Sequence, residues 1–397
     1  MNPFARLGSR LFQAGMRLAS RFLKIPSPAV IHEPTALSSL LKEKGIKRLL
    51  LVTDKGCAAL PVFERFRVFL SESFDVKVYD DAIPNPDFSC VEKGVEAYKS
   101  HHAEALVAFG GGSAMDAAKA MGVQIAYPCK SLLAFKGLLK VHRDLPFLAC
   151  VPTTVGTGSE ATIAAVVVDE KNKDKFAIES PRLVPDVALL YPSFVLGLPK
   201  PLIASTGLDA LTHALESIVG KSSTKKSKAD ALSAITRIFH SLPRLYADPM
   251  DAEAAKDMQI AAFEAGESFT RAYVGYVHAL AHALGGEKGV PHGYANAILL
   301  LPVLRSYGKA AWKPLALVAD HLGLPGETEE ELASSFLSRL EALERELGIP
   351  ERLAFALSEE ELARLSKHAA KEANPLYPVP RLFDEKELAA ILKGVTA

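Results

Sequence analysis

The chain has 397 residues, which is too long for one compact core and sufficient for two domains. Apolar residues make up 49% and charged residues 23%, as in globular enzymes rather than disordered or fibrous chains. Basic and acidic residues both total 46, so the zero formal net charge argues against a nucleic-acid-binding protein.

No apolar run approaches the roughly 20 residues that a transmembrane helix needs. The four cysteines lie far apart without a CxxC pair, which favours reduced thiols over a disulfide framework or a thiolate zinc site. These features predict a cytoplasmic protein with no transmembrane segment.

Residues 1–27 form a segment of their own. Residues 1–32 contain five basic residues and no acidic one, and apolar residues recur at helical spacing over residues 4–23. This pattern predicts a basic amphipathic helix. A mitochondrial-type presequence, which would direct the protein to the matrix, has this character, and so does a helix on a membrane surface. We favour a helix that packs on its own protein or on a second subunit, since most amphipathic helices face a protein core.

Five short apolar runs alternate with helical patterns between residues 28 and 200. The predicted strands are residues 48–52, 76–79, 105–109, 147–151 and 187–190. Strands that alternate with helices form parallel sheets, so this region is predicted to be an α/β domain with a parallel, Rossmann-like sheet.

Residues 201–397 carry helical patterns and almost no strand signal, which predicts an all-α domain. Its helices are expected at residues 202–219, 226–246, 251–285, 310–321, 328–346 and 358–371.

Two polar loops follow predicted strands. Gly111, Gly112 and Ser113 lie between a strand and a helix, where backbone N–H groups can bind a pyrophosphate; Ser113 is expected to cap the helix. The second loop, residues 152–160, is rich in Gly, Thr and Ser, as suits a sugar–phosphate ligand. A tight turn would explain either loop alone, but together they predict a dinucleotide site.

Polar residues interrupt apolar helices in the second domain. Asp209 and His213 lie one helical turn apart, His278 and His282 lie one turn apart, and His292 follows ten residues later. Burying such groups is costly unless a ligand coordinates them. Imidazoles with one carboxylate suit iron, zinc or a similar ion rather than calcium or magnesium.

These motifs, in this order and spacing, resemble the iron-containing (group III, metal-dependent) alcohol dehydrogenases, which have a dehydroquinate-synthase-like fold. The resemblance extends from about residue 28 to the end of the chain. It implies an NAD(P)-dependent oxidoreductase that interconverts an alcohol and an aldehyde or ketone by hydride transfer, and a homodimer. Arg271 and Tyr273 depart from the family pattern near the expected alcohol pocket, which leaves the substrate open.

The resemblance also implies roles for single residues. It implies four metal ligands, Asp209, His213, His278 and His292, with Fe2+ expected and Zn2+ compatible, and His282 as the residue that helps to move the proton. The implied cofactor-binding residues are Gly111, Gly112 and Ser113 at the pyrophosphate, Thr153, Thr154 and Thr157 in the second loop, Lys175 at the nicotinamide ribose, and Asp116.

Asp54 closes the predicted strand 48–52, where the family selects its cofactor. A carboxylate there accepts hydrogen bonds from ribose hydroxyls and repels a 2′-phosphate, which favours NAD over NADP.

The alternative function is an NAD- and metal-dependent lyase related to dehydroquinate synthase. The Asp209–His213 pair disfavours it, because the ligands of that enzyme begin with a glutamate.

Overall fold

The computed structural model describes residues 3–20, 23–171 and 174–397. Within this part of the chain, nine strands form two sheets. They are β1 Ala29–Ile31, β2 Arg48–Val52, β3 Asp75–Tyr79, β4 Ala105–Gly110, β5 Gly137–Leu138, β6 Phe147–Pro152, β7 Ala164–Asp169, β8 Asp174–Glu179 and β9 Val187–Leu189. All five predicted strands are present.

The main sheet has six parallel strands in the order β1-β9-β6-β4-β2-β3, which confirms the α/β prediction. Because side chains alternate along a strand, Leu49 and Leu51 enter one buried cluster and Leu50 and Val52 enter the other. A parallel sheet with both faces covered explains why these strands are continuously apolar. The smaller sheet, β5-β8-β7, was not predicted.

Fifteen α-helices lie in the described residues. They are α1 Pro3–Ser20, α2 Pro34–Glu43, α3 Lys55–Ala58, α4 Pro61–Ser71, α5 Phe88–Ser100, α6 Gly112–Ala126, α7 Lys200–Val219, α8 Lys225–Ala247, α9 Ala252–Ala272, α10 Tyr276–Lys288, α11 His292–Tyr307, α12 Lys309–His321, α13 Glu329–Glu346, α14 Glu359–Ala373 and α15 Glu385–Gly394. The C-terminal part is thus mostly helical, as predicted. Positions 21 and 22 of the predicted N-terminal helix lie outside the described residues. No helix in the described ranges is long and apolar enough to cross a membrane.

The single helix predicted over residues 251–285 is wrong, because the chain breaks between α9 and α10. Tyr273 takes a left-handed conformation with φ +66°, and Gly275 is the N-cap of α10. The Glu216 carboxylate stabilises the break by accepting hydrogen bonds from the N–H groups of Gly275 at 2.7 Å and Val277 at 2.8 Å. A carboxylate at a helix N-terminus satisfies donors that have no acceptor within the helix.

The described residues pack as two compact units whose bounds differ from the expected domains. One unit comprises residues 25–198 and 250–266, and the other comprises residues 1–24, 199–249 and 267–397. The first part of α9 joins the α/β unit because Gly266 lies against Gly158, and because the Gln259 side chain donates to the Pro152 carbonyl at 3.3 Å. The N-terminal helix α1 joins the helical unit through hydrogen bonds to residues 377–380.

The Gly158–Gly266 contact gives a test of this packing. A Cβ on Gly266 would lie 2.6 Å from the Gly158 carbonyl oxygen, so we expect Gly266→Ala to lower the free energy of unfolding. The loss should be about 1–3 kcal/mol, as for overpacking elsewhere. Gly286→Ala is the matched control, since no atom lies within 4 Å of the added Cβ; helix propensity should make it neutral or slightly stabilising. Urea unfolding midpoints measure both, and equal midpoints would contradict the assigned contact.

Candidate active site: a metal centre and a dinucleotide loop pair

The two polar loops lie side by side at the carboxyl ends of neighbouring strands. Gly110 at the end of β4 is in register with Pro152 at the end of β6, and the Thr153 N–H donates to the Gly110 carbonyl at 3.0 Å. A Cβ on Gly111 would lie 3.4 Å from the Thr154 methyl carbon, which shows how closely the loops approach. Ligands of parallel sheets bind at this edge.

The glycine loop leaves the N-terminus of α6 without a side-chain cap. Gly111 is the N-cap in an extended conformation, so the prediction that Ser113 caps the helix is wrong; Ser113 lies within the first turn. The first-turn N–H groups have no intrahelical acceptor and suit an anion. Nearby, the Thr154 hydroxyl oxygen is buried with no hydrogen-bond partner among the described residues. A helix N-terminus without a side-chain cap, and a buried hydroxyl without a hydrogen-bond partner among the described residues, both suit a phosphate-bearing cofactor.

A buried lysine on α6 holds the second loop in place. The Lys119 Nζ, on a residue only 1% exposed, donates to the carbonyl oxygens of Ser159 at 2.7 Å, Thr162 at 2.9 Å and Ala164 at 2.9 Å. Burial lowers the pKa of Lys119, although the charge of Asp116 opposes this shift. This role was not predicted from the sequence, although a lysine in the middle of a mostly apolar helix is a signal that could have indicated it.

Asp116 performs a similar positioning role. Its Oδ1 accepts a hydrogen bond from the Ser159 hydroxyl at 3.0 Å, and its Oδ2 accepts one from the Val166 N–H at 3.2 Å. Burial raises the pKa of Asp116 to about 6, against the opposing charges of Lys119 and Lys175. Since both oxygens bind protein donors, the contacts favour support of the loop over direct contact with the cofactor. Lys175 is exposed on β8.

The predicted selectivity residue lies next to the glycine loop. Asp54 follows β2, and its Oδ1 caps α3 by accepting the Cys57 N–H at 2.9 Å. Its Oδ2 lies 3.7 Å from the position that a Cβ on Gly110 would take. One carboxylate oxygen therefore supports the fold, and the other faces the loop expected to bind the cofactor.

Three of the four predicted metal ligands converge in the helical unit. Asp209 on α7, His278 on α10 and His292 at the start of α11 each direct one ligand atom to a common point, with all three atoms within 4.8 Å of one another. Asp209 is 2% exposed and His278 is 3% exposed. Burial raises the pKa of Asp209 to about 7 and lowers that of His278 to about 3. Two imidazoles and an enclosed carboxylate are a suitable donor set for a transition-metal cation.

His213 lies beside this group rather than within it. Its ring stacks on His278 with a centroid distance of 4.6 Å and on Phe269 at 4.2 Å. The ring is buried, and it is one turn from Asp209 on the same helix. The fourth predicted ligand is thus adjacent to the other three.

Asn296, which sequence analysis missed, occupies the centre of the cluster. Its Nδ2 lies 2.6 Å from Asp209 Oδ1, 3.3 Å from His278 Nε2 and 3.2 Å from His292 Nε2. Its Oδ1 is buried with no hydrogen-bond partner among the described residues. The Asn296 amide N–H groups thus point toward the carboxylate and imidazole lone pairs that a metal cation could coordinate. The sequence feature that could have identified Asn296 is its position one helical turn after His292 on α11.

Two further carboxylates orient the histidines. Glu216 Oε2 lies 2.6 Å from His278 Nδ1, which directs the Nε2 lone pair toward the cluster. Burial raises the pKa of Glu216 to about 7, although three hydrogen bonds oppose the shift. Carboxylates of this kind commonly orient metal-binding imidazoles.

Glu372 does the same for His282. Its Oε1 lies 2.7 Å from His282 Nδ1 and accepts the Tyr377 hydroxyl at 2.7 Å. Burial alone would raise the pKa of Glu372, but the charge of His282 and these hydrogen bonds outweigh it and hold the pKa below its usual range. The His282 ring stacks on His292 with a centroid distance of 5.1 Å, so it lies beside the converging ligands.

Comparisons with known proteins identify the family of this chain. Residues 28–192 match the iron-containing alcohol dehydrogenase family, and residues 203–396 match the C-terminal region of the same family. The chain belongs to the iron-containing alcohol dehydrogenases. A 1,3-propanediol dehydrogenase from Citrobacter freundii is 36% identical over 91% of this chain and 95% of its own.

Solved structures of the family share the fold. A 1,3-propanediol oxidoreductase superposes with a TM-score of 0.87 at 32% identity, covering 93% of this chain and 98% of its own. A sulfoacetaldehyde reductase from Bifidobacterium kashiwanohense, solved with NAD+, superposes with a TM-score of 0.84 at 26% identity, covering 94% and 97%. As an iron-containing alcohol dehydrogenase, the chain is an alcohol–aldehyde oxidoreductase, which confirms the predicted reaction class and disfavours the lyase. The names of these relatives refer to different substrates, so family membership does not identify the alcohol that this enzyme uses.

The role of Lys119 is testable. Lys119→Met would leave three buried carbonyl oxygens without their donor, so we expect a loss of about 3 kcal/mol in unfolding free energy and at least about tenfold weaker NADH binding. Lys93→Met, on the exposed face of α5, should change stability by less than about 0.5 kcal/mol. Urea unfolding and NADH fluorescence titration measure these effects. Wild-type stability and affinity in Lys119→Met would rule out the assigned role.

Proposed function

We propose that this alcohol dehydrogenase is an Fe2+-dependent, NAD(H)-linked enzyme that interconverts an alcohol and an aldehyde. The observation that carries the proposal is the convergence of Asp209, His278 and His292 within a buried, otherwise apolar helical unit. Asp209, His213, His278 and His292 would hold the ion. Zn2+ suits the same donors, and the metal comparison below distinguishes the two.

The metal, when bound, supplies a Lewis acid for the substrate oxygen, and the nicotinamide supplies or accepts the hydride. The protein contributes binding and orientation. Glu216 fixes the His278 ring so that its Nε2 faces the ligand cluster, and burial keeps this imidazole neutral and able to donate its lone pair.

The loop pair would hold the cofactor. Backbone N–H groups of Gly111, Gly112 and Ser113 would bind the pyrophosphate at the N-terminus of α6. Thr153, Thr154 and Thr157 would contact the rest of the dinucleotide, and the unpartnered Thr154 hydroxyl supports this assignment. Lys175 would reach the nicotinamide ribose, as the family resemblance implies.

His282 would move the proton. Glu372 accepts a hydrogen bond at His282 Nδ1, which leaves Nε2 to take a proton from the alcohol during oxidation or to give one to the aldehyde oxygen during reduction. The carboxylate also stabilises the imidazolium that forms during the transfer. The homodimeric state and the cytoplasmic location remain predictions.

The test is NADH oxidation by anaerobically purified protein with short-chain aldehydes. We expect chelation to reduce the rate by at least about a hundredfold, because the substrate oxygen loses its Lewis acid. Added Fe2+ should restore the rate more fully than Zn2+. Asp209→Asn should lose both bound metal and activity, whereas His240→Ala, on the surface of α8, should retain both.

Two outcomes would contradict the proposal. Equal rates in chelated and metal-loaded protein would indicate a metal-independent enzyme. Turnover of a substrate without net change in NADH absorbance would indicate the lyase.

Cofactor choice can be tested at Asp54 without losing the helix cap. A serine retains an N-cap acceptor but removes the charge that repels a 2′-phosphate, so Asp54→Ser should raise kcat/KM with NADPH relative to NADH by about tenfold or more. Asp87→Ser is the matched control, since Asp87 caps α5 by accepting the Cys90 N–H at 2.7 Å. An unchanged cofactor ratio in Asp54→Ser would refute the assignment.

A further inference from the structure

The N-terminal helix α1 presents its apolar face to solvent. Phe4 is 86% exposed, Leu7 60%, Leu11 65% and Leu18 57%. Their spacing of three, four and seven residues places them in one row along the helix. Soluble proteins seldom leave such a continuous apolar row uncovered, so a partner is required.

The opposite, polar face of α1 packs on the protein. Ser9 and Gln13 are buried, and Gln13 Nε2 donates to the Tyr377 carbonyl at 2.6 Å. The Arg10 guanidinium donates to the carbonyl oxygens of Val379 at 2.7 Å and Pro380 at 2.9 Å. The helix packs on its own protein, as expected, but through its polar face; the alternative that it packs on a second subunit stays a prediction. The polar side chains of Arg10 and Gln13 donate to the carbonyl oxygens of Tyr377, Val379 and Pro380, and apolar side chains could not make these hydrogen bonds.

Cations accompany the exposed apolar row. Arg6 and Arg17 are exposed on α1, and residues 1–32 contain no acidic residue. Beside α1 lies a groove of about 380 Å³, and none of the described residues that line it is acidic. Its lining residues are Arg10, Gln13, Ala14, Arg17, Leu18, Lys221 and Pro378.

We propose that α1 docks this enzyme on an anionic lipid bilayer, with its apolar row among the acyl chains and its arginines and Lys221 at the headgroups. An exposed apolar face beside basic side chains is the arrangement found in helices that lie in the plane of a membrane. A second copy of the chain fits less well, because a symmetric contact through α1 would bring two basic helices together, and α1 contains no acidic residue to pair with the arginines of the other copy.

Vesicle co-sedimentation with the 397-residue chain tests this proposal. We expect binding to vesicles of phosphatidylglycerol and phosphatidylcholine, little binding to pure phosphatidylcholine, and release at high salt. Leu7→Glu with Leu11→Glu should lower the partition coefficient by about a hundredfold, since two apolar side chains no longer insert. Arg6→Gln and Arg17→Gln should each lower it by about fivefold.

Matched controls lie elsewhere on the surface. Leu317→Glu, at a 40% exposed leucine on α12, and Arg352→Gln, at an exposed arginine, make the same chemical changes away from α1 and should bind as the wild type does. NADH turnover without vesicles should be the same in all these variants, which shows that they fold.

Three results would overturn the proposal. The first is no binding of the wild type to anionic vesicles. The second is undiminished binding by the Leu7→Glu, Leu11→Glu variant. The third is a change confined to oligomeric state in sedimentation velocity, which would identify a second copy as the partner of α1.

Discussion

The helical unit depends on burying a carboxylate and several imidazoles among apolar helices. Removing Asp209 from water costs free energy, as its pKa of about 7 reflects, and the surrounding residues are arranged to offset that cost. Asn296 donates to Asp209, while Glu216 binds His278 and also stabilises the start of α10. The Glu216 carboxylate therefore orients His278 and also stabilises the chain break before α10, the helix that carries His278. A bound cation would supply the charge that this group of acceptors lacks.

The features that depend on the spacing of nearby residues could be predicted from the sequence. Asp209 and His213 one turn apart on an apolar helix indicated a buried polar site, and continuous apolar runs indicated the parallel strands. Residues whose importance depends on distant partners were missed. Glu216 binds backbone groups 59 and 61 residues away, and Glu372 binds a histidine 90 residues away. The break after α9 was missed for the same reason, since it requires a carboxylate from α7 and a left-handed Tyr273.

The N-terminal helix illustrates a different limit. Its amphipathic character follows from residue spacing, but spacing does not tell which face contacts the protein. Long-range contacts decide this, because the carbonyl oxygens of Tyr377, Val379 and Pro380 accept hydrogen bonds from Arg10 and Gln13 and so orient the polar face of α1 toward the protein. In the α/β unit, Lys119 likewise satisfies carbonyls of a loop far along the chain and thereby links the two loops assigned to the cofactor.

We propose that Asp209, His213, His278 and His292 bind one catalytic metal ion. X-ray absorption at the iron K-edge of anaerobically loaded protein, together with metal analysis, tests it most directly. We expect one Fe2+ per chain, coordinated by imidazole nitrogens and oxygen, and loss of this signal in Asp209→Asn. Absence of bound iron, or a first shell without imidazole scattering, would contradict it.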